Sequence, residues 1–99
     1  MQFQINDQVL WDGRICNIYR IHEIGDEYYM DLLLNERNVD ASVLEGFEDK
    51  DIQKGDIVIY SKNGLKDLAL VIIIDNYYDY AQIRIIKRFI ASSLLKAIE

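Results

Sequence analysis

Few residues in this 99-residue chain carry reactive side chains. Cys16 is the single cysteine and His22 the single histidine. One cysteine makes neither an intramolecular disulfide nor a Cys-based zinc site, and one histidine excludes multi-His metal sites. Cys16 and His22 are six residues apart on one extended segment. Side-chain alternation predicts the same face for both, at a spacing too long for a hydrogen bond. The carboxylate pairs Asp26–Glu27 and Asp49/Asp51 fall in loops without an apolar pocket to raise a pKa for general acid–base work. No Gly-rich phosphate loop, zinc-ligand spacing or nucleophile elbow occurs. The expectation is a protein that is not an enzyme, with no metal and no cofactor.

Binding chemistry is better represented. Seven tyrosines include the adjacent pairs Tyr28–Tyr29 and Tyr77–Tyr78. Neighbours on a strand face opposite sides of the sheet, so one of Tyr28 and Tyr29 is expected to be exposed or to lie between repeats. Tyr77 and Tyr78 fall in a turn. Carboxylates flank both pairs: Asp26, Glu27 and Asp31 around the first, Asp75 and Asp79 around the second. Exposed tyrosine among acids is an interface composition. Asp12, like Asp26 and Glu27, falls at a hairpin tip of the acidic half, and Trp11 stands beside the first of these hairpins. The candidate partner-binding set is therefore Trp11, Asp12, Asp26, Glu27, Tyr28, Tyr29, Asp31, Tyr77 and Tyr78.

Charge says what the partner should be. The net charge is −6, and it is uneven: residues 1–48 hold ten acids against three arginines, residues 49–99 seven acids against eight basic residues. An acidic surface repels phosphate backbones and draws basic protein surfaces. Nucleic acid is thus disfavoured, although Lys62, Lys66, Arg84, Lys87 and Arg88 form a basic set in the second half. The longest apolar run, Leu68–Ile74, is far below the ~20 residues that span a bilayer. The opening MQFQINDQ has no basic and apolar signal regions, so a cytoplasmic location is expected.

The elements that position these residues read as β, and they read twice. "VDASVLEGFE" (39–48) matches "IASSLLKAIE" (90–99), and an offset of 51 pairs Gly13 with Gly64, Tyr29 with Tyr80 and Arg37 with Arg88. Upstream, "QINDQVLW" matches "QKGDIVIY" at an offset of 49, so a two-residue difference is placed at the first hairpin tip. Asp12-Gly13 and Asn63-Gly64 each predict a tight primed turn, and "EYYMDLLL" and "YAQIRII" alternate as third strands. The blocks at "SVLE" and "SLLK" predict a short strand with a single 3₁₀ turn, in preference to a helix over "IASSLLKAIE". The run "LALVIII" predicts a strand covered on both faces. Short strands opened by Asp-x-Val-x-aromatic resemble a small SH3-like barrel. The architecture this implies is all-β: two tandem SH3/Tudor-like small barrels related by internal duplication, residues 1–48 and 49–99, packed against each other.

The first unit resembles a Tudor domain. "VLWDGRICNIYRI" is similar to the Tudor opening and "YYMDLLLNERNVDASVLEGF" to its ending. The resemblance implies an aromatic cage for a methylated ammonium or guanidinium group, with Trp11 as one wall and Tyr28 or Tyr29 as another. The turn Asn35–Asn38 has no aromatic, and Arg37 stands where a cationic ligand would sit. The favoured reading of Trp11 and Tyr60 is as core aromatics that plug the barrel ends. The favoured reading is a non-catalytic acidic protein-binding module of inhibitor type, as in immunity or phage anti-defence proteins. Its partner would be a basic protein such as a nucleic-acid-handling enzyme or a toxin. The alternatives are a Tudor-type reader of methylated Arg or Lys and a KOW-like nucleic-acid accessory module.

Overall fold

The computed structural model describes residues 3–75 and 77–98. Among them every regular element is a strand or a short 3₁₀ turn. The order is β1 (Gln8–Trp11), β2 (Arg14–Ile24), β3 (Glu27–Asp40), η1 (Ala41–Val43), β4 (Leu44–Gly46), β5 (Ile57–Lys62), β6 (Leu65–Asp75), β7 (Tyr80–Ala91), η2 (Ser92–Leu94) and β8 (Lys96–Ala97). The strands form one open antiparallel sheet in the order β4-β5-β6-β7-β3-β2-β1-β8. No helix among the described residues is long and apolar enough to cross a membrane.

Local chemistry accounts for the turns. Asp12-Gly13 and Asn63-Gly64 hold positive φ at both central positions (51° and 74°, 53° and 79°). Aspartate and asparagine tolerate that region and glycine enters it freely, so each closes a two-residue hairpin. Before each first strand, a Gln-x-x-Asp turn closes on itself. The Gln4 and Gln53 amides donate to Asp7 Oδ2 and Asp56 Oδ2 at 2.9 and 3.0 Å.

The chain divides into two compact units, Met1–Leu34 with Lys87–Glu99, and Asn35–Ile86. The division expected at 48/49 falls in the connection between β4 and β5, and the compact units part within β3 and within β7. In the first unit β8 pairs with β1, Val9 opposite Ala97. In the second β4 pairs with β5, Leu44 opposite Tyr60 and Gly46 opposite Val58. Each hairpin is thus closed by a short strand from the other half of the sequence. The 14-residue β3 runs on past Leu34 without a break, which carries η1 and β4 into the second unit.

Backbone ladders show which positions of the two hairpin systems correspond. Ile18 exchanges hydrogen bonds with Asn6 and Asp7 at 2.8 and 2.9 Å, and Val71 does the same with Gly55 and Asp56, both at 2.9 Å. Opposite them stand Leu32 and Ile83. The offset is therefore 49 in the first strands, 53 in the second and 51 in the third. The length difference at the first hairpin is four residues, two in each arm, and not two at its tip. A primed turn is fixed at two residues, so extra length must enter both arms together.

Both second strands carry a bulge, between Ile18 and Arg20 and between Val71 and Ile73. An extra residue reverses which parity faces inward. Cys16 and Ile18 are fully buried, and past the bulge the inward position is Ile21, opposite buried Met30. His22 consequently faces away from the side occupied by Cys16, contrary to simple alternation. The same device explains "LALVIII". Ala69 and Val71 are buried on one side of the bulge, and Ile74 stands opposite buried Ala81 beyond it. Ile73 is 48% exposed, so this strand is not covered on both faces.

Each unit has its own core. Val9, Ile18, Met30, Leu32 and Leu95 are buried in the first; Val58, Tyr60, Val71, Ile83 and Ile85 in the second. Complete burial of a side chain such as Ile18 or Ile83 contributes about 1.5–3 kcal/mol.

Candidate functional site

In the first unit, the only histidine meets a buried carboxylate. Asp31 is 4% exposed, although its sequence neighbours suggest a surface acid. Its Oδ2 lies 3.0 Å from His22 Nε2, and its Oδ1 accepts the Phe89 amide at 3.0 Å. The His22 ring stacks on Phe89 with centroids 4.5 Å apart. Burial pushes the Asp31 carboxyl up, but bonds from His22 and the Phe89 amide, with the charges of His22 and Arg88, hold it below the usual carboxylate range. The group clamps the end of β7 onto β3, and Asp31 is not a carboxylate that a partner could reach.

The remaining sequence candidates are dispersed. Asp12 is exposed and Trp11 half-buried at the tip of β1–β2; Asp26 and Glu27 are exposed and Tyr28 and Tyr29 half-buried at the opposite end of β2. Glu23 pairs with Tyr28 and Arg14 with Trp11. Nine residues of strand separate the two places, roughly 30 Å at 3.3 Å per residue. Trp11 and Tyr28 or Tyr29 therefore do not wall one cage. Tyr29 donates its hydroxyl to Glu27 Oε2 at 2.7 Å, and that bond with the Glu27 charge raises the phenol pKa. Tyr60 is 7% exposed and belongs to the core. Cys16 donates to the Arg14 carbonyl at 3.5 Å, and burial pushes its thiol pKa up, which describes an inert thiol.

Tyr77 and Tyr78, in the second unit, are 86% and 75% exposed and meet edge to face at 4.8 Å. Asp75 Oδ1 fixes them by accepting both amides, at 3.0 and 3.2 Å. Asp79 completes the turn, exposed. This aromatic–acid turn has the exposure that its sequence suggests.

One surface escaped the sequence reading. Beyond Gly46 the β4–β5 ladder stops and the chain forms the connection through residues 47–56. Phe47, 64% exposed, and Ile57, 43% exposed, line an open cleft of about 250 Å³ with Ile52, Val58, Glu48 and Asp56. A second cleft of about 290 Å³ shares Ile52 and Lys50 and adds Asp51, Asp79, Ser42 and Ile74. Lys50 leans on Glu48 at 3.5 Å, both well exposed, so the pair contributes little. The signal in the sequence was Phe47 and Ile52 inside an acidic run; "EDKDIQ" reads as a joint between repeats, which hides it.

No family model matches the chain, and neither does any curated protein or solved structure.

The strand arrangement also redistributes charge. The first unit holds seven acidic and five basic residues, the second ten acidic and six basic, so their net charges are −2 and −4. The halves of the sequence, at −7 and +1, differ far more. The more acidic unit is the one that carries the clefts and the Tyr77–Tyr78 turn.

Proposed function

We propose that the protein is a non-catalytic acidic protein-binding module of inhibitor type, built from two SH3/Tudor-like units of an internal duplication and acting on a basic protein in the cytoplasm. One observation carries the reading: the most exposed aromatic side chains, Phe47, Tyr77 and Tyr78, each stand among carboxylates. Aromatic groups supply contact area at low entropic cost, and surrounding charge steers a basic partner toward them. The mechanism is occupancy. Carboxylates engage the basic groove that the partner uses for phosphates, and the aromatics slow release. The duplication is supported by the order strand, strand, strand, 3₁₀ turn, strand occurring twice, with η1 and η2 at an offset of 51. The non-catalytic reading draws on the burial of Cys16 and the engagement of His22 by Asp31 and Phe89.

The test is capture on the immobilised protein from its native host, followed by association kinetics of the captured protein against salt. The expected partner is basic, and its on-rate falls steeply as ionic strength rises. A neutral partner with a salt-independent on-rate contradicts the reading.

A further inference from the structure

We infer that the two clefts beside β4 form one docking track for an extended basic segment of the partner, with a large apolar side chain seated against Phe47 and a neighbouring Lys or Arg directed at Asp51 and Asp79. The inference rests on the protein-binding reading above and names where it is carried out. At about 250 Å³ the first cleft lies below the roughly 300–1,000 Å³ of small-molecule pockets, so it suits one anchoring side chain and not a cofactor. Phe47, Ile52 and Ile57 give its lining an apolar part, beside Glu48, Lys50 and Asp56. Exposing Phe47 and Ile57 together is unfavourable for the free protein and favourable once a partner covers them.

Charge complementarity fixes the occupant. Residues 45–56 hold five acids, Glu45, Glu48, Asp49, Asp51 and Asp56, against Lys50 and Lys54. Glu48 and Asp56 line the apolar cleft, while Asp51 and Asp79 line the adjoining one. The clefts adjoin, sharing Ile52 and Lys50, and Lys50 is drawn toward Glu48 at 3.5 Å. Among the described residues, strand β4 lies at the edge of the sheet with β5 as its one neighbour. An extended segment is the shape that such an edge accepts, by adding a strand.

The experiment is an NMR titration of the full-length ¹⁵N-labelled protein at low salt. The probes are acetyl-GKKFKKG-amide, the same peptide with Ala for Phe, and one with Glu for every Lys. The expected result is saturable perturbation of the Phe47, Glu48, Ile52 and Ile57 amides by the Phe peptide. The Ala peptide should bind about tenfold more weakly, and the Glu peptide not at all. Phe47→Ala, at an exposed position, should keep its melting temperature and reduce affinity for the Phe peptide to that of the Ala peptide. Equal affinity for the Phe and Ala peptides overturns the track. So does perturbation confined to Asp26, Glu27 and their neighbours, while leaving the acidic protein-binding reading in place. If neither Lys peptide binds at low salt, the track fails, and the protein-binding reading stands or falls by the capture experiment.

Discussion

Phe89 is held at φ +54°, a conformation that a bulky L-residue adopts at a cost of roughly 1–2 kcal/mol. Asn38, 51 positions earlier, holds φ +57° with a residue suited to it. What compensates at Phe89 is the stacked His22 ring and the amide bond to Asp31. Phe89→Gly and Phe89→Ala should both lose the stacking, but only alanine keeps the strain. Urea unfolding should therefore find the glycine variant more stable than the alanine variant, by about 0.5–1 kcal/mol. Asp31 has a lowered folded-state pKa, so the unfolded chain takes up its proton first as pH falls below about 4. The stability that it contributes is complete above that pH and declines toward the folded pKa. Asp31→Asn should cost about 1–3 kcal/mol at pH 7 and show a flatter decline below about pH 4 than the wild type. None of this was legible in sequence. Asp31 reads as a surface acid because its cover comes from a residue 58 positions away.

At the scale of elements, more was legible. The Asp-Gly and Asn-Gly hairpins, the third strands and the 3₁₀ turns stand where local pattern places them, since each is decided by a few adjacent residues. The bulges at Tyr19 and Ile72 were not, because an extra residue leaves no mark in an apolar run. They moved His22 to the other face of β2 and split "LALVIII" between buried and exposed positions. The two aromatics ending the first strands also part company. Tyr60 is covered where β4 pairs across β5, whereas Trp11 stays half-buried beside Arg14. Tyr60→Ala should cost roughly 3–5 kcal/mol and Trp11→Ala distinctly less, measured as shifts in urea midpoint at constant m-value. Equal costs would place Trp11 in the core after all. Of the candidate site, the Tyr77–Tyr78 turn was legible from its flanking acids; the Phe47 cleft required knowing that the β4–β5 ladder stops at Gly46.

For the whole molecule, the compact units draw strands from both halves of the sequence. Fragment 1–48 lacks the strand that covers β1, and fragment 49–99 lacks the one that covers β5. Neither should melt cooperatively as a monomer, and mixing them should restore a cooperative 1:1 complex by circular dichroism and analytical ultracentrifugation. Charge follows the same interleaving: the second unit carries the larger net negative charge, −4 against −2. The decisive measurement compares association of the captured basic partner, at low salt, with two charge variants. One carries Asp12→Asn, Asp26→Lys and Glu27→Lys, with asparagine at position 12 because φ there is +51°. The other carries Glu48→Lys, Asp49→Lys and Asp51→Lys, all exposed. All six substitutions should leave the fold intact. The account predicts an on-rate about tenfold lower for the second variant, with most of its salt dependence lost, and a smaller change for the first. Wild-type on-rates and salt dependence in both variants would contradict it.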